Sequence, residues 1–125
     1  VSLRENIGLL AYSPMGFGML SGKFHKKTDK PTDRINKFKR YARYSSQQCW
    51  DATAKYIEIA EKNGMTPAQM SLAFVNDRPF MTSTIIGATS MEQLKENISS
   101  ADIKLSEEVL KEIDEVQAEI PNPAP

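Results

Sequence analysis

The chain has 125 residues, 16 Lys+Arg against 16 Asp+Glu, and a single Cys, His and Trp. That length suffices for one domain of ordinary size, and the balanced charge argues against a wholly basic nucleic-acid binder or an acidic disordered tail. Apolar runs such as Ile7 to Tyr12 fall far short of the roughly 18 residues a membrane helix needs, and lone Cys49 cannot staple a secreted scaffold and fits a reducing, cytoplasmic compartment.

In chain order, Val1-Ser2-Leu3-Arg4-Glu5 resembles the tail of a helix running into a strand. Ile7-Gly8-Leu9-Leu10-Ala11-Tyr12 is a continuous apolar run that stops at Ser13-Pro14, the pattern of a parallel strand covered on both faces. From Lys23 to Arg43 the charge turns basic: Lys23, Lys26, Lys27, Lys30, Arg34, Lys37, Lys39, Arg40 and Arg43 stand against Asp29 and Asp33. Pro31 and the weak apolar periodicity predict a long loop there, and such loops are mostly functional or disordered. It reads equally as a mobile, anion-seeking loop or as a solvated one. Few aromatics interleave its cations, so a nucleic-acid surface is the weakest reading.

Four helices follow. Ser45 with Gln48 forms the pattern of a capping box, after which Trp50, Ala54, Ile57 and Ala60 recur at helical spacing until Gly64. Thr66 caps the next helix, with Pro67 at its first position and Gln69 completing a second box. This helix carries Met70, Ala73 and Phe74 and stops before Arg78-Pro79. Thr82-Ser83-Thr84-Ile85-Ile86 is β-branched, ends at Gly87, and predicts a second strand. Ser90 caps a third helix, with Gln93 at the reciprocal position and Leu94 as its first apolar anchor. Ser106 caps the fourth, where Glu107 and Glu108 suit the helix dipole and Leu105 can staple onto Leu110. Val109, Leu110, Ile113, Val116 and Ile120 form its apolar stripe, and the proline-rich tail cannot continue it. Two parallel strands do not make a stable sheet. The expectation is therefore one part, residues 1–125, of a larger α/β architecture.

Two loops invite chemistry. In Gly16-Phe17-Gly18-Met19-Leu20-Ser21-Gly22-Lys23 a phosphate-binding P-loop fails, because position 17 is Phe and Lys23 is followed by Phe24. A dinucleotide fingerprint fails as well, since Ser21 stands where its third glycine belongs. What survives is a glycine-rich turn at a strand end, open to an anion, with Lys23 as counter-charge. The second loop, Gly87-Ala88-Thr89-Ser90, leads into a helix N-terminus that can hold a phosphate. Gln93, Glu96 and Asn97 share one face of that helix, and the plainer alternative is that Glu96 and Asn97 face water. His25 reads as a surface or phosphate-side residue, and Cys49 as a small packed one.

Ala11-Tyr12-Ser13-Pro14-Met15-Gly16 with Gly18, Leu20, Gly22 and Lys23, then Pro67 to Val75, then Ile86-Gly87-Ala88-Thr89 with Gln93-Leu94 and Glu96-Asn97-Ile98, and the closing Pro123-Ala124-Pro125, together resemble the C-terminal part of an aldo-keto reductase. The resemblance spans nearly the whole chain and is strongest to the bacterial Tas-type NADP(H)-dependent branch; potassium-channel β subunits share it more distantly. It implies a C-terminal fragment of a (β/α)8 TIM barrel, mostly helical with two parallel strands that would be barrel strands seven and eight, and a cofactor at their C-terminal ends. It also implies NADP(H) binding and reduction of a small-molecule carbonyl substrate by hydride transfer. Tyr12 would then stack on the nicotinamide, Ser13, Pro14, Met15 and Gly16 would line the nicotinamide side and pyrophosphate, and Lys23 would lie near the phosphates. Arg34 would clamp the cofactor. Gly87, Ala88, Thr89 and Gln93 would surround the 2′-phosphate, and Glu96 and Asn97 would hold the adenine. Relatives often place Lys or Arg at that phosphate; this sequence offers small residues and Gln93. The family's catalytic Tyr, Lys, Asp and His lie in the N-terminal half of its barrel, so no catalytic residue and no metal ligand is assigned here. On that basis the fragment alone is expected to be inactive, without nucleic-acid or membrane partners, and to self-associate through exposed barrel edges. A nucleotide-sensing regulatory module, in the manner of the channel subunits, is the alternative.

Overall fold

The computed structural model describes all residues from 1 to 125. In chain order it contains α1 (Ser2–Glu5), β1 (Leu9–Ala11), α2 (Arg34–Lys37), α3 (Gln47–Lys62), α4 (Pro67–Asn76), β2 (Met81–Thr84), α5 (Met91–Ser99) and α6 (Glu107–Glu119). Short 3₁₀ segments cover Gly16–Ser21, Lys39–Ser45 and Ser100–Asp102. The chain is thus α/β and mostly helical, with its two strands paired in parallel, Leu9 opposite Met81 and Ala11 opposite Thr84. No helix is long and apolar enough to cross a membrane.

The core lies between α3, α4 and α6, where Ala52, Ile59, Ala60, Met70, Ala73, Val109, Ile113 and Val116 close on one another. Alanines at the facing positions let α3 and α4 approach closely, while α6 supplies the larger β-branched side chains. Outside this core the acidic face of α6 meets lysines of α3 through Lys55–Glu119 and Lys62–Glu112. These are exposed pairs that add little stability. A smaller cluster of Met19, Phe24 and Cys49 anchors the segment after β1 to the start of α3.

The caps at Thr66, Ser90 and Ser106 form as expected, with Thr66 and Gln69 making both halves of the box. Several expectations need correction. The cap of α3 is Ser46, not Ser45: its Oγ accepts the Cys49 N–H and donates to the Pro123 carbonyl. The C-terminal tail therefore selects which of two adjacent serines stops the chain. Ser46→Ala removes both bonds and should cost about 1–2 kcal/mol, read as a lower urea midpoint than that of Ser45→Ala. Next, Gln93 reaches past Ser90 and accepts from the Thr89 N–H and hydroxyl, so the reciprocal half of the box is missing at Ser90. Finally, the basic stretch is not one long loop. Phe24 buries itself, α2 and a 3₁₀ turn break the path, and ion pairs Lys23–Asp33 and Lys26–Glu61 tie it down.

The strands are also shorter than the apolar runs that predict them, and they are not covered on both faces. Ile7, Leu9, Leu10, Ile85 and Ile86 remain exposed, Leu10 at 60%. α4 packs along β2, but nothing in this chain lies across β1 from the other side.

Candidate functional site

Because β1 and β2 run parallel, with one bulge-like shift between Leu9 and Leu10, both end at the same edge of the sheet. The two loops singled out above, residues 12–23 and 85–90, therefore start side by side. Motif spacing alone does not bring them together; the pairing does, in the arrangement the family resemblance implies.

The first loop is wound tightly. Ser13, Gly16, Phe17 and Gly18 all have positive φ, at 55°, 53°, 57° and 98°. For Ser13 and Phe17 this left-handed backbone costs of order 1 kcal/mol each, a strain typical of ligand-binding turns. Its bonds, Gly16 N–H to Ser13 O and Gly18 N–H to Met15 O, leave the Phe17 N–H without a partner in the chain. Phe17, which the sequence pattern did not single out, is the hub: Tyr41 stacks on it at 4.1 Å, Tyr44 lies at 5.5 Å, and Tyr12 meets it edge-on at 6.0 Å. Tyr12 keeps 72% of its surface exposed, so one face of its ring is free to stack on a planar ligand. Arg34 projects over Phe17, its guanidinium carbon 5.9 Å from the ring centre.

Lys23 lies beside this turn, and its ammonium is held by Asp33 at 2.8 Å. Partial burial pushes the Asp33 carboxyl up, but the Lys23 hydrogen bond, the Lys30 N–H and the charges of both lysines outweigh it, leaving the group below its ordinary range. Asp33 was not foreseen as part of the site.

The second loop offers unpaired donors. The backbone N–H groups of Ile86, Gly87, Ala88 and Ser90 have no acceptor in the chain, and Gly87 faces open space. Successive unpaired N–H groups ahead of a capped helix suit an anion. Gln93 and Thr89 are exposed and bonded to each other. Of the two residues expected at an adenine or in water, Glu96 is half-buried and Asn97 is buried, and the Asn97 amide donates to the Gly87 carbonyl at 3.3 Å. The reading in which both simply face water does not hold for Asn97. It clamps the loop onto α5. At the helix start, its own N–H and the Ser90 hydroxyl hold the exposed Glu92 carboxyl below its usual range.

His25 is half-buried rather than free at the surface. Its ring packs on Trp50 at 4.4 Å and its Nε2–H donates to the Trp50 carbonyl at 3.0 Å, while Nδ1 is buried without a partner. Beneath the first loop lies an apolar cavity of about 360 Å³ lined by Pro14, Met19, Tyr56, Phe74 and Ala124 among others. Cys49 lines it too, is buried as expected, and desolvation pushes its thiol up despite a hydrogen bond with Thr53. Cys49 should therefore resist iodoacetamide at neutral pH in the folded chain and react on unfolding, which alkylation followed by mass spectrometry will read. No three His, Cys, Asp or Glu side chains converge to hold a metal ion.

Free backbone donors on two adjoining loops, two cations and an exposed tyrosine face form a donor set that fits a polyanionic ligand with a planar ring. Comparison with known proteins gives this geometry a lineage. The Aldo/keto reductase family profile matches residues 1–118. "Protein tas" of Escherichia coli (strain K12) is 48% identical over 125 residues, covering 100% of this chain and 36% of that protein. "Aldo-keto reductase yakc", a Schizosaccharomyces pombe protein whose name specifies NADP(+), is 32% identical over 112 residues, 89% of this chain and 33% of its own length. A "Putative voltage-gated potassium channel subunit beta" of the same yeast is 31% identical over 115 residues, 87% of this chain and 33% of its own length. The chain thus spans about a third of the length of these curated relatives.

Proposed function

Because this chain belongs to the aldo/keto reductase family, we propose that it is the NADP(H)-binding part of an oxidoreductase that reduces aldehydes or ketones by hydride transfer. In this reading β1 and β2 are strands seven and eight of the family's barrel, and the exposed apolar residues of β1 meet the strands that complete it. The observation that carries the reading is the convergence of two loops with unpaired N–H groups at the common C-terminal edge of β1 and β2, where such barrels build their sites.

Each residue then has a task. Tyr12 offers its free face to the nicotinamide ring. Residues 13–16 shape the turn that approaches the pyrophosphate, with Lys23 and Arg34 supplying positive charge from one side. Gly87 and Ala88 present N–H groups to the adenosine phosphate, and Asn97 holds that loop in place rather than reaching out to the base. The bound dinucleotide would supply the hydride, and this chain contributes no acid to the carbonyl, so the 125 residues alone should show no reductase activity.

Direct binding tests this. The complete protein should bind NADPH, followed by its nicotinamide fluorescence, and Lys23→Met should weaken that binding about tenfold, the size of one lost charge-assisted hydrogen bond. Absence of binding by either NADPH or NADH sinks the proposal. The match to a potassium-channel β subunit favours a second reading, a nucleotide-sensing module without catalysis. A complete protein that binds NADPH yet lacks the family's Tyr, Lys, Asp and His would decide for it.

A further inference from the structure

Lys23 reaches back across the turn it follows: a Cβ placed on Gly18 would stand 3.3 Å from its Nζ. There it meets Asp33, and both side chains are mostly covered, 29% and 21% exposed. Asp33 is fixed from a second side, since Oδ2 accepts the Lys30 N–H at 2.8 Å. It occupies the N-cap position of α2 yet makes no capping bond to that helix. An aspartate at a helix start ordinarily accepts from the first turn's N–H groups; this one points its carboxylate at Lys23 instead. The next residue, Arg34, lies over Phe17 on the same turn. A carboxylate of the chain therefore sits on the cation beside this turn, whose Phe17 N–H has no partner in the chain.

We propose that Asp33 determines the affinity of this anion seat: its carboxylate occupies Lys23 in the free protein and yields to a phosphate of the ligand. The proposal rests on the nucleotide-binding reading and names a residue which that reading does not require. A pyrophosphate carries more charge than a carboxylate and can engage Lys23, Arg34 and the backbone donors together, so it displaces Asp33 where a singly charged anion does not. The seat consequently binds phosphate less tightly than an unpaired lysine would, and it discriminates against small anions.

Asp33→Asn in the complete protein removes the charge while its amide oxygen can still accept the Lys30 N–H. Affinity for NADPH and for inorganic pyrophosphate, measured by nicotinamide fluorescence and by calorimetry, should rise about three- to fivefold, the worth of a partly exposed ion pair. Adding Lys23→Met should abolish the gain. Unchanged or weaker binding by Asp33→Asn, in protein whose thermal unfolding remains cooperative, overturns the proposal and makes the pair a latch over the ligand. Asp33→Ser provides the same comparison if the amide variant fails to fold. Should the unaltered protein bind neither NADPH nor NADH, the nucleotide reading fails by itself, while pyrophosphate still reports on Asp33 and Lys23.

Discussion

Leu72→Ala lowers the stability of the fold by about 3–5 kcal/mol, the cost of deleting a fully buried leucine and leaving part of the cavity behind. Leu72 is 0% exposed, and it stands apart from the α3–α4–α6 cluster that takes Met70 and Ala73. α4 packs against β2, α5 and the 3₁₀ turn at Ser100–Asp102 as well as against α3. Because α4 supports the strand and helix that flank residues 85–90, a cavity at Leu72 loosens the helix on which they rest. A loss of this size is a large fraction of a typical domain's stability, from about a fifth upward. The urea midpoint should fall with an unchanged denaturant slope, and nucleotide affinity should fall with it. Leu72→Met conserves volume and should cost less than about 1.5 kcal/mol; equal losses from Met and Ala would show that the site does not depend on packing.

Gly22→Val should cost about 2–4 kcal/mol, from left-handed backbone strain and crowding together. Gly22 ends the first 3₁₀ turn at φ 78°, with its N–H on the Met19 carbonyl. A Cβ there would already touch Ile57 and Pro67, each at 3.5 Å, so the further carbons of valine crowd against α3 and α4. Gly64 provides the control, since its φ is 69° but nothing lies within 4 Å. Gly64→Val should feel the strain alone, about 1–2 kcal/mol. Because Gly22 directly precedes Lys23, its substitution should also weaken nucleotide binding, whereas that of Gly64 should not. Equal unfolding midpoints for the two variants would remove the packing part of the argument.

Much of this architecture was legible from local chemistry. A helix cap acts within four residues, so Thr66, Ser90 and Ser106 announced their helices, and apolar spacing marked the faces that α3, α4 and α6 bury. Where two equivalent caps stood side by side, at Ser45 and Ser46, local chemistry could not choose. The choice came from Pro123, a residue 77 positions away. The basic stretch misled for the same reason. Its order comes from Phe24 entering a cluster with Met19 and Cys49, and from His25 packing on Trp50, contacts that leave no periodic trace.

The site divides along the same line. Motif order alone placed a glycine-rich turn with Lys23 and a small-residue loop before α5 at two strand ends, and it indicated the family to which the chain belongs. Which groups remain available was decided in three dimensions. Asn97 turned inward to hold Gly87, Phe17 became the centre of an aromatic cluster, and Asp33 came to rest on Lys23. Capping, periodicity and turn preference are short-range energies written in neighbouring residues. The pairing of one carboxylate with one cation depends on where the intervening chain closes, and that is settled by the buried contacts of the folded molecule.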